Sequence, residues 1–226
     1  MSQLTLTAIG DPDESVKLDE HPDLTIGSDD LLVDMEAATV NRTDLLLAAG
    51  RYGVRPQLPA ALGAEGVGRV REVGADADPS LAGRRVLVLP TYEQGTWSDS
   101  VVVPARNVIA VGEAGDAAQL AMLAINPATA LLLLRRFVDL RPGDWIGQNL
   151  GNSALGQYVI ALARDAGVKT LSVVRRESAV EQVRAAGGDV VLVDGDDLGE
   201  RVEAALGGAR LRLVLDGLGG AAPAPP

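Results

Sequence analysis

The chain has no cysteine and a single histidine, His21, in 226 residues. These shortages exclude every thiolate site, every Cys/His zinc site and every nucleophilic triad that needs a well-placed imidazole. Aromatic residues make up only 3% against 47% hydrophobic in total, so the core must be built from Val, Leu, Ala and Ile, an α/β-like composition. Bases are scarce too. Twenty Lys and Arg face 31 Asp and Glu, a formal charge of −11, which argues against nucleic acid or an anionic membrane as the main partner. Long apolar runs are missing: Ala117 to Leu134 is interrupted by Gln119, Asn126 and Thr129 and divided at Asn126-Pro127, so it reads as two buried helices. The opening MSQLTLTAIGDPDESVK has no basic segment ahead of an apolar one. It reads as carrying no secretory signal, and the expected location is cytoplasmic.

At about 150 residues per domain the length fits one to two domains. From Leu4 to about Gly112 the apolar residues fall in short runs punctuated by Gly, Pro, Asp and Asn, a strand-and-turn pattern with one helix expected over Arg42 to Ala49. Eight acidic residues lie between Asp11 and Asp30 with only Lys17 as a base. They read as a solvated face.

Beyond Gly112 short Val/Leu runs alternate with helical patterns. A helix is expected from Asn126, as N-cap before Pro127, to about Val138. Strands are expected at 144–149, 170–174, 190–193 and 211–215, and helices at 154–166, 178–186 and 198–206. Alternation of this kind implies right-handed crossovers and a parallel sheet. The fold class is therefore α/β, with expected boundaries at residues 1–115, 116–216 and an Ala/Pro tail, 217–226, expected to be disordered. Four strands are two short of a doubly wound dinucleotide sheet in the order 3-2-1-4-5-6, which reads as a partial domain.

After the strand ending near Asn149 the chain reads Gly151-Asn152-Ser153-Ala154-Leu155-Gly156. This is the dinucleotide fingerprint G-x-G-x-x-G with serine at the middle position. The first glycine is expected to permit the tight turn and the third to let the helix pack closely. The Ser153 hydroxyl is a candidate donor to a phosphate oxygen, and the helix that begins here aims its N–H groups at that anion. The next strand ends in Arg175-Arg176, where NAD-binding chains carry an acidic residue for the ribose 2′-OH. Two arginines suit a 2′-phosphate, so the expected cofactor is NADPH. The bland alternative is a pair of surface arginines at a strand end.

Several segments taken together resemble the medium-chain dehydrogenase/reductase superfamily, and within it the zinc-free trans-2-enoyl-thioester reductases, with quinone-oxidoreductase-like members close by. They are Val40-Asn41-Arg42-Thr43-Asp44, Gly50-Arg51-Tyr52-Gly53 with Pro56, Gly63-Ala64-Glu65-Gly66-Val67-Gly68, Gly95-Thr96-Trp97, Asn126-Pro127-Ala128-Thr129-Ala130, and Gln148-Asn149 through Gly156-Gln157. The resemblance implies an N-terminal GroES-like β domain, a Rossmann domain after it and an active site in the cleft between them. Zinc-bearing relatives place a ligand cysteine and histidine where this chain has Asn41 and Ala64, so no metal is expected. Glu65 then reads as a structural carboxylate.

By the same resemblance Tyr52 is the candidate catalytic residue, because a phenol suits hydrogen bonding to an enolate oxygen or protonation of the α carbon. Packing is its other reading. Asn126 matches a position near the cofactor, and Trp97 either lines the cleft or packs in the core. The implied activity is NADPH-dependent reduction of an enoyl thioester carried on CoA or acyl carrier protein. The alternatives are a quinone reductase and a truncated, non-catalytic NADP-binding chain. A homodimer of the family's type is not expected, because the far edge of the sheet is missing from the sequence.

Overall fold

The computed structural model describes residues 1–20, 24–91 and 95–219. The chain divides into two compact units, Met1–Ile125 and Asn126–Pro226.

The first unit contains β1 (Ser2–Leu6), α1 (Pro12–Ser15), β2 (Val16–Glu20), β3 (Asp30–Ala38), α2 (Arg42–Ala48), β4 (Ala60–Ala61), β5 (Gly66–Val73), β6 (Arg85–Val88), β7 (Ser100–Pro104), β8 (Val108–Val111) and α3 (Ala117–Leu120). Five strands form an antiparallel sheet in the order β7-β3-β5-β6-β8, and a smaller sheet runs β2-β1-β4. Valines supply the larger sheet's core: Val33, Val70, Val86, Val88, Val101 and Val103 are buried together with Leu31. Their branched side chains fit the pleated surface, which is how a chain so poor in aromatics fills this space.

The sequence rhythm places the end of this unit at residue 115, and the structure carries it on to Ile125. Two contacts account for the difference. The buried Arg85 guanidinium donates to the carbonyl of Gly115 at 2.8 Å and pairs with Glu36. Ala121 is buried with Val67 and Leu87, with Ala117 and Leu120 packed against them. A change from strand-like to helical pattern therefore precedes the change of core.

The second unit contains α4 (Asn126–Arg136), β9 (Trp145–Gln148), α5 (Ala154–Asp165), β10 (Lys169–Val174), α6 (Val180–Ala185), β11 (Val190–Val193), α7 (Leu198–Leu206) and β12 (Leu211–Leu215). Its sheet is parallel in the order β11-β10-β9-β12. Counted within the unit that is 3-2-1-4, the first four strands of the doubly wound order. One core packs Ile146, Val159, Ala163 and Leu215 with α4 residues Ala130 and Leu134, and another gathers Ile160, Val174, Val180, Val183 and Val191. Among the described residues β12 pairs with β9 alone, so it forms a sheet edge.

Three local expectations are corrected. Helix α4 already includes Asn126, so Asn126 occupies a helical position and not the flanking cap. The helix expected at 178–186 opens as a 3-10 turn, Glu177–Ala179, before α6. Of the tail, Gly217, Leu218 and Gly219 are held by hydrogen bonds from their backbone N–H groups, while residues 220–226 lie outside the described residues. Among the described residues no helix is long and apolar enough to cross a membrane.

Candidate functional site

In the first unit, α2 ends where Gly50 turns into the left-handed region at φ +67°, its N–H on the carbonyl of Leu47. A Cβ there would also press on Ile9, so this turn favours glycine on two grounds. The turn delivers Tyr52 to an apolar cluster of Leu6, Leu47, Ala48 and Leu62, against which Tyr52 and Trp97 both pack, each half-buried. The structure thus brings Tyr52 and Trp97, 45 residues apart in sequence, to one patch. Trp97 spends its indole N–H on the carbonyl of Thr39 at 2.6 Å, so it offers that patch an apolar ring and no donor.

Beside this patch lies Glu65, fully buried. One carboxylate oxygen accepts the Asn41 side-chain amide at 3.1 Å and the Thr39 hydroxyl at 3.4 Å. The other accepts the backbone N–H groups of Ala124 and Ile125 at 3.0 and 2.8 Å. Asn41 is therefore a hydrogen-bond donor into a satisfied carboxylate, and Ala64 carries no ligating atom. Among the described residues there is no group of three or more His, Cys, Asp or Glu side chains suited to a metal ion. Asp44, also buried, accepts the backbone N–H of Asn41 at 2.7 Å. Burial pushes its carboxyl above the usual value; the bond from Asn41 works against that, and the neighbouring Glu65 adds to it.

In the second unit, Ser153 is the N-cap of α5: its hydroxyl accepts the N–H of Gly156 at 3.0 Å and donates to the carbonyl of Leu150 at 2.8 Å. In the structure the hydroxyl proton lies on the Leu150 carbonyl, inside the loop. Helix geometry leaves the N–H groups of Ala154 and Leu155 without intrahelical partners, at the positive end of the helix.

Neither Gly151 nor Gly156 has a positive φ, so the turn does not need their conformational freedom. Space is the requirement. A Cβ on Gly156 would collide with the carbonyl of Leu150, and one on Gly151 would lie 2.8 Å from Cβ of Ser172. Both bare positions face the protein's own atoms, so what they allow is close packing of the loop and of α5 on Leu150 and Ser172; the tightly held turn with the N–H groups of Ala154 and Leu155 is the candidate anion cradle.

Beneath the cradle the buried Gln148 amide donates to the carbonyl of Gly156 at 3.3 Å and to the Ser172 hydroxyl at 3.2 Å. Its Oε1 atom is buried and has no partner among the described residues. Asn152 lies exposed on the loop, and Leu155 is half-buried behind it. Arg175 and Arg176 follow β10 directly and are exposed, and among the described residues neither has an ion-pair partner. Because β10 lies beside β9 in parallel register, Ser172 opposite Gln148, the arginines stand at the same end of the sheet as the cradle.

The ring of bonds around Glu65 and the layer of Gln148 and Ser172 under the loop had no pattern of their own in the sequence. Glu65 and Gln148 lie inside recognisable motifs; Thr39 and Ser172 do not.

Residues 27–113 match the family described as the alcohol dehydrogenase GroES-like domain. The chain is 36% identical over 193 residues to the mitochondrial enoyl-[acyl-carrier-protein] reductase of Dictyostelium discoideum, a match covering 81% of this chain and 54% of that protein. It resembles the structure of a putative NADPH:quinone reductase from Bacillus thuringiensis with TM-score 0.89 and 26% identity, over 97% of this chain and 66% of that one. The quinone oxidoreductase of Thermus thermophilus, solved also with NADPH, gives TM-score 0.82 and 25% identity over 97% and 68%. The GroES-like first unit and the Rossmann-like second one agree with the resemblance to the medium-chain dehydrogenase/reductase superfamily. It spans about half the length of the curated relatives it matches. Their names carry the word mitochondrial, so they lend the cytoplasmic expectation no support.

Proposed function

We infer that the chain carries the cofactor and substrate residues of an NADPH-dependent, zinc-independent reductase of activated C=C bonds, with a trans-2-enoyl thioester as substrate. The observation that carries this is the N-terminal turn of α5, packed closely through the bare positions Gly151 and Gly156, together with the exposed Arg175 and Arg176 at the end of the next strand. The cradle suits a pyrophosphate. The arginines suit a 2′-phosphate through charge-assisted, fork-like bonds. Bound NADPH would supply a hydride.

The chain's own residues supply the rest. The N–H groups of Ala154 and Leu155 receive the pyrophosphate oxygens, and Asn126 stands at the start of α4 as a further polar group for the cofactor. Hydride addition at the β carbon of an enoyl thioester leaves negative charge on the thioester oxygen. The Tyr52 phenol stabilises that charge by donating a hydrogen bond, or delivers its proton to the α carbon. Trp97 presents its ring to the acyl part. The names of the curated relatives support acyl carrier protein as the carrier, and CoA shares the same thioester chemistry.

A quinone as hydride acceptor is the second reading, favoured by the likeness to structures named quinone reductases. The test follows NADPH oxidation with a short trans-2-enoyl-CoA and, in parallel, with a small quinone. Faster turnover of the thioester supports the proposal, and turnover of the quinone alone replaces it with the second reading. NADPH binding without turnover of either leaves a non-catalytic nucleotide-binding chain.

A further inference from the structure

The second unit has its topological switch point between β9 and β12. The chain runs from β9 to β10 and β11 on one side, then returns to the other side of β9 with β12. In open parallel sheets the crevice for a ligand lies at the carboxyl ends of the strands flanking such a point. The residues that leave those two strand ends are Asn149, one past β9, and Asp216, one past β12.

Their side chains are bonded to each other. Asn149 Nδ2 donates to Asp216 Oδ1 at 2.6 Å, and Asn149 Oδ1 accepts the N–H of Gly217 at 3.0 Å. The same Asp216 oxygen accepts the N–H groups of Leu218 and Gly219, each at 3.0 Å. The Asn149 N–H reaches the carbonyl of Leu215 at 3.3 Å. A Cβ on Gly217 would strike the side chain of Leu150, so the two loops also touch through apolar atoms. Leu150 is the residue whose carbonyl takes the Ser153 hydroxyl and sits against Gly156. A continuous path of contacts thus runs from Asp216 through Asn149 and Leu150 to the phosphate cradle.

We propose that Asp216 and Asn149 form a latch that positions the nucleotide loop, holding the loop after β12 against the loop after β9 and so fixing the course of residues 149–151. Asp216 is a positioning residue here. It acts through Asn149, and one of its oxygens does all the accepting, so an amide at 216 would do nearly the same work. The proposal rests on the nucleotide reading given above.

The experiment titrates the full-length chain with NADPH, following cofactor fluorescence, and records the thermal midpoint of each variant without cofactor. Asp216→Ala is expected to weaken NADPH binding by roughly tenfold or more, and Asp216→Asn by no more than about threefold, since it keeps the accepting oxygen. Asn149→Asp sets two carboxylates against each other and is expected to lose about tenfold. Asn149→Ala removes both the donor to Asp216 and the acceptor of the Gly217 N–H and is expected to weaken binding by about tenfold.

If Asp216→Ala or Asn149→Ala binds as well as the unaltered chain, or Asp216→Asn binds as weakly as Asp216→Ala, the latch is wrong. Should Asp216→Ala not fold, Asn149→Ala decides the matter by itself. An unaltered chain that does not bind NADPH overturns the nucleotide reading, and the latch falls with it. Failure of the variants in a chain that does bind overturns the latch only.

Discussion

Glu65, with no exposed surface, accepts the backbone N–H of Ile125 at 2.8 Å and that of Ala124 at 3.0 Å through the same carboxylate oxygen. A side chain from the loop leading into β5 therefore holds the last two residues of the first unit. Its other oxygen is held by Asn41 and Thr39. Glu65→Leu would remove the acceptor that the Ala124 and Ile125 N–H groups share and one of the two acceptors of the Asn41 amide, which keeps the Thr39 hydroxyl, and is expected to destabilise the chain by about 3 to 5 kcal/mol. Glu65→Gln keeps one acceptor for the backbone pair, and rotation of the Asn41 amide can present an oxygen to the new NH2 group, so the expected loss is only about 1 kcal/mol. Urea unfolding of both variants checks the order; equal losses would show that the carboxylate's bonds contribute little.

Gly156 and Gly151 are expected to respond to alanine in that order of severity. At Gly156 the new Cβ meets a backbone carbonyl, that of Leu150, which cannot move without disturbing the cap of α5. At Gly151 it meets the side chain of Ser172 and, at 3.2 Å, that of Val183, which have some room to give. Gly156→Ala should lose about 3 kcal/mol and Gly151→Ala about 1 to 2 kcal/mol. Both should bind NADPH more weakly. Thermal unfolding with and without NADPH separates the two effects, and a Gly156→Ala chain with unchanged stability would mean that the close approach is not strained.

Much of the second unit was legible in the sequence because its signals are local. Three of the strand and helix spans, 190–193, 198–206 and 211–215, agree with β11, α7 and β12 as observed, since Gly, Asp and Asn punctuate short apolar runs there. The first unit showed its class but not its pairing. Which strands neighbour one another depends on contacts far apart in the chain, such as Leu31 opposite Val73 and Val103. The site divided in the same way. Gly151, Gly156, Arg175 and Arg176 announce themselves by spacing along a strand-loop-helix unit. The bond between Asn149 and Asp216 spans 67 residues and is created only when β12 enters the sheet beside β9, so no local pattern could disclose it. The cap role of Ser153 was hidden for another reason: serine suits both a phosphate donor and an N-cap, and only the short distance to Gly156 N–H separates them.

Replacing both Arg175 and Arg176 by Ala is expected to remove the charge-assisted bonds to a 2′-phosphate and to lower the preference for NADPH over NADH by on the order of 2 to 3 kcal/mol. Stability should scarcely change, because both side chains are exposed and, among the described residues, neither forms an ion pair. Parallel titrations with NADPH and NADH give the ratio directly. An unaltered ratio would free the arginines from any part in cofactor choice.

Tyr52→Phe keeps the ring that packs against Leu6, Leu47 and Leu62 and deletes only the hydroxyl. A phenol that carries the enolate's charge or proton predicts a fall in kcat of roughly 100-fold or more with NADPH binding unchanged. A tyrosine that serves packing alone predicts little change in either quantity. Steady-state kinetics on the enoyl thioester, run beside a cofactor titration, distinguishes the two, and unchanged turnover would remove Tyr52 from the chemistry.

Asp44 supplies a test whose sign is set by pH. Burial raises its carboxyl pKa in the folded chain above the usual value, so between the unfolded and folded values the native state binds more proton than the unfolded one. Stability from this group therefore falls as pH rises through that window, and the buried charge is a net cost at neutral pH. Asp44→Asn retains an oxygen for the Asn41 N–H and has no charge to desolvate. It is expected to be at least as stable as the unaltered chain at neutral pH, and its advantage should shrink as pH is lowered through the folded pKa of Asp44. Glu113 and Asp216 act in the opposite sense. Their carboxyls are lowered, by the bond from Arg69 to Glu113 and by the bond from Asn149 to Asp216, so whatever they contribute is lost as pH falls. Comparing urea midpoints of Asp44→Asn and the unaltered chain across a pH series cancels those shared contributions. A deficit of the variant that is present at neutral pH and disappears as pH falls through the folded pKa of Asp44 would show instead that the Asp44 charge stabilises the start of α2.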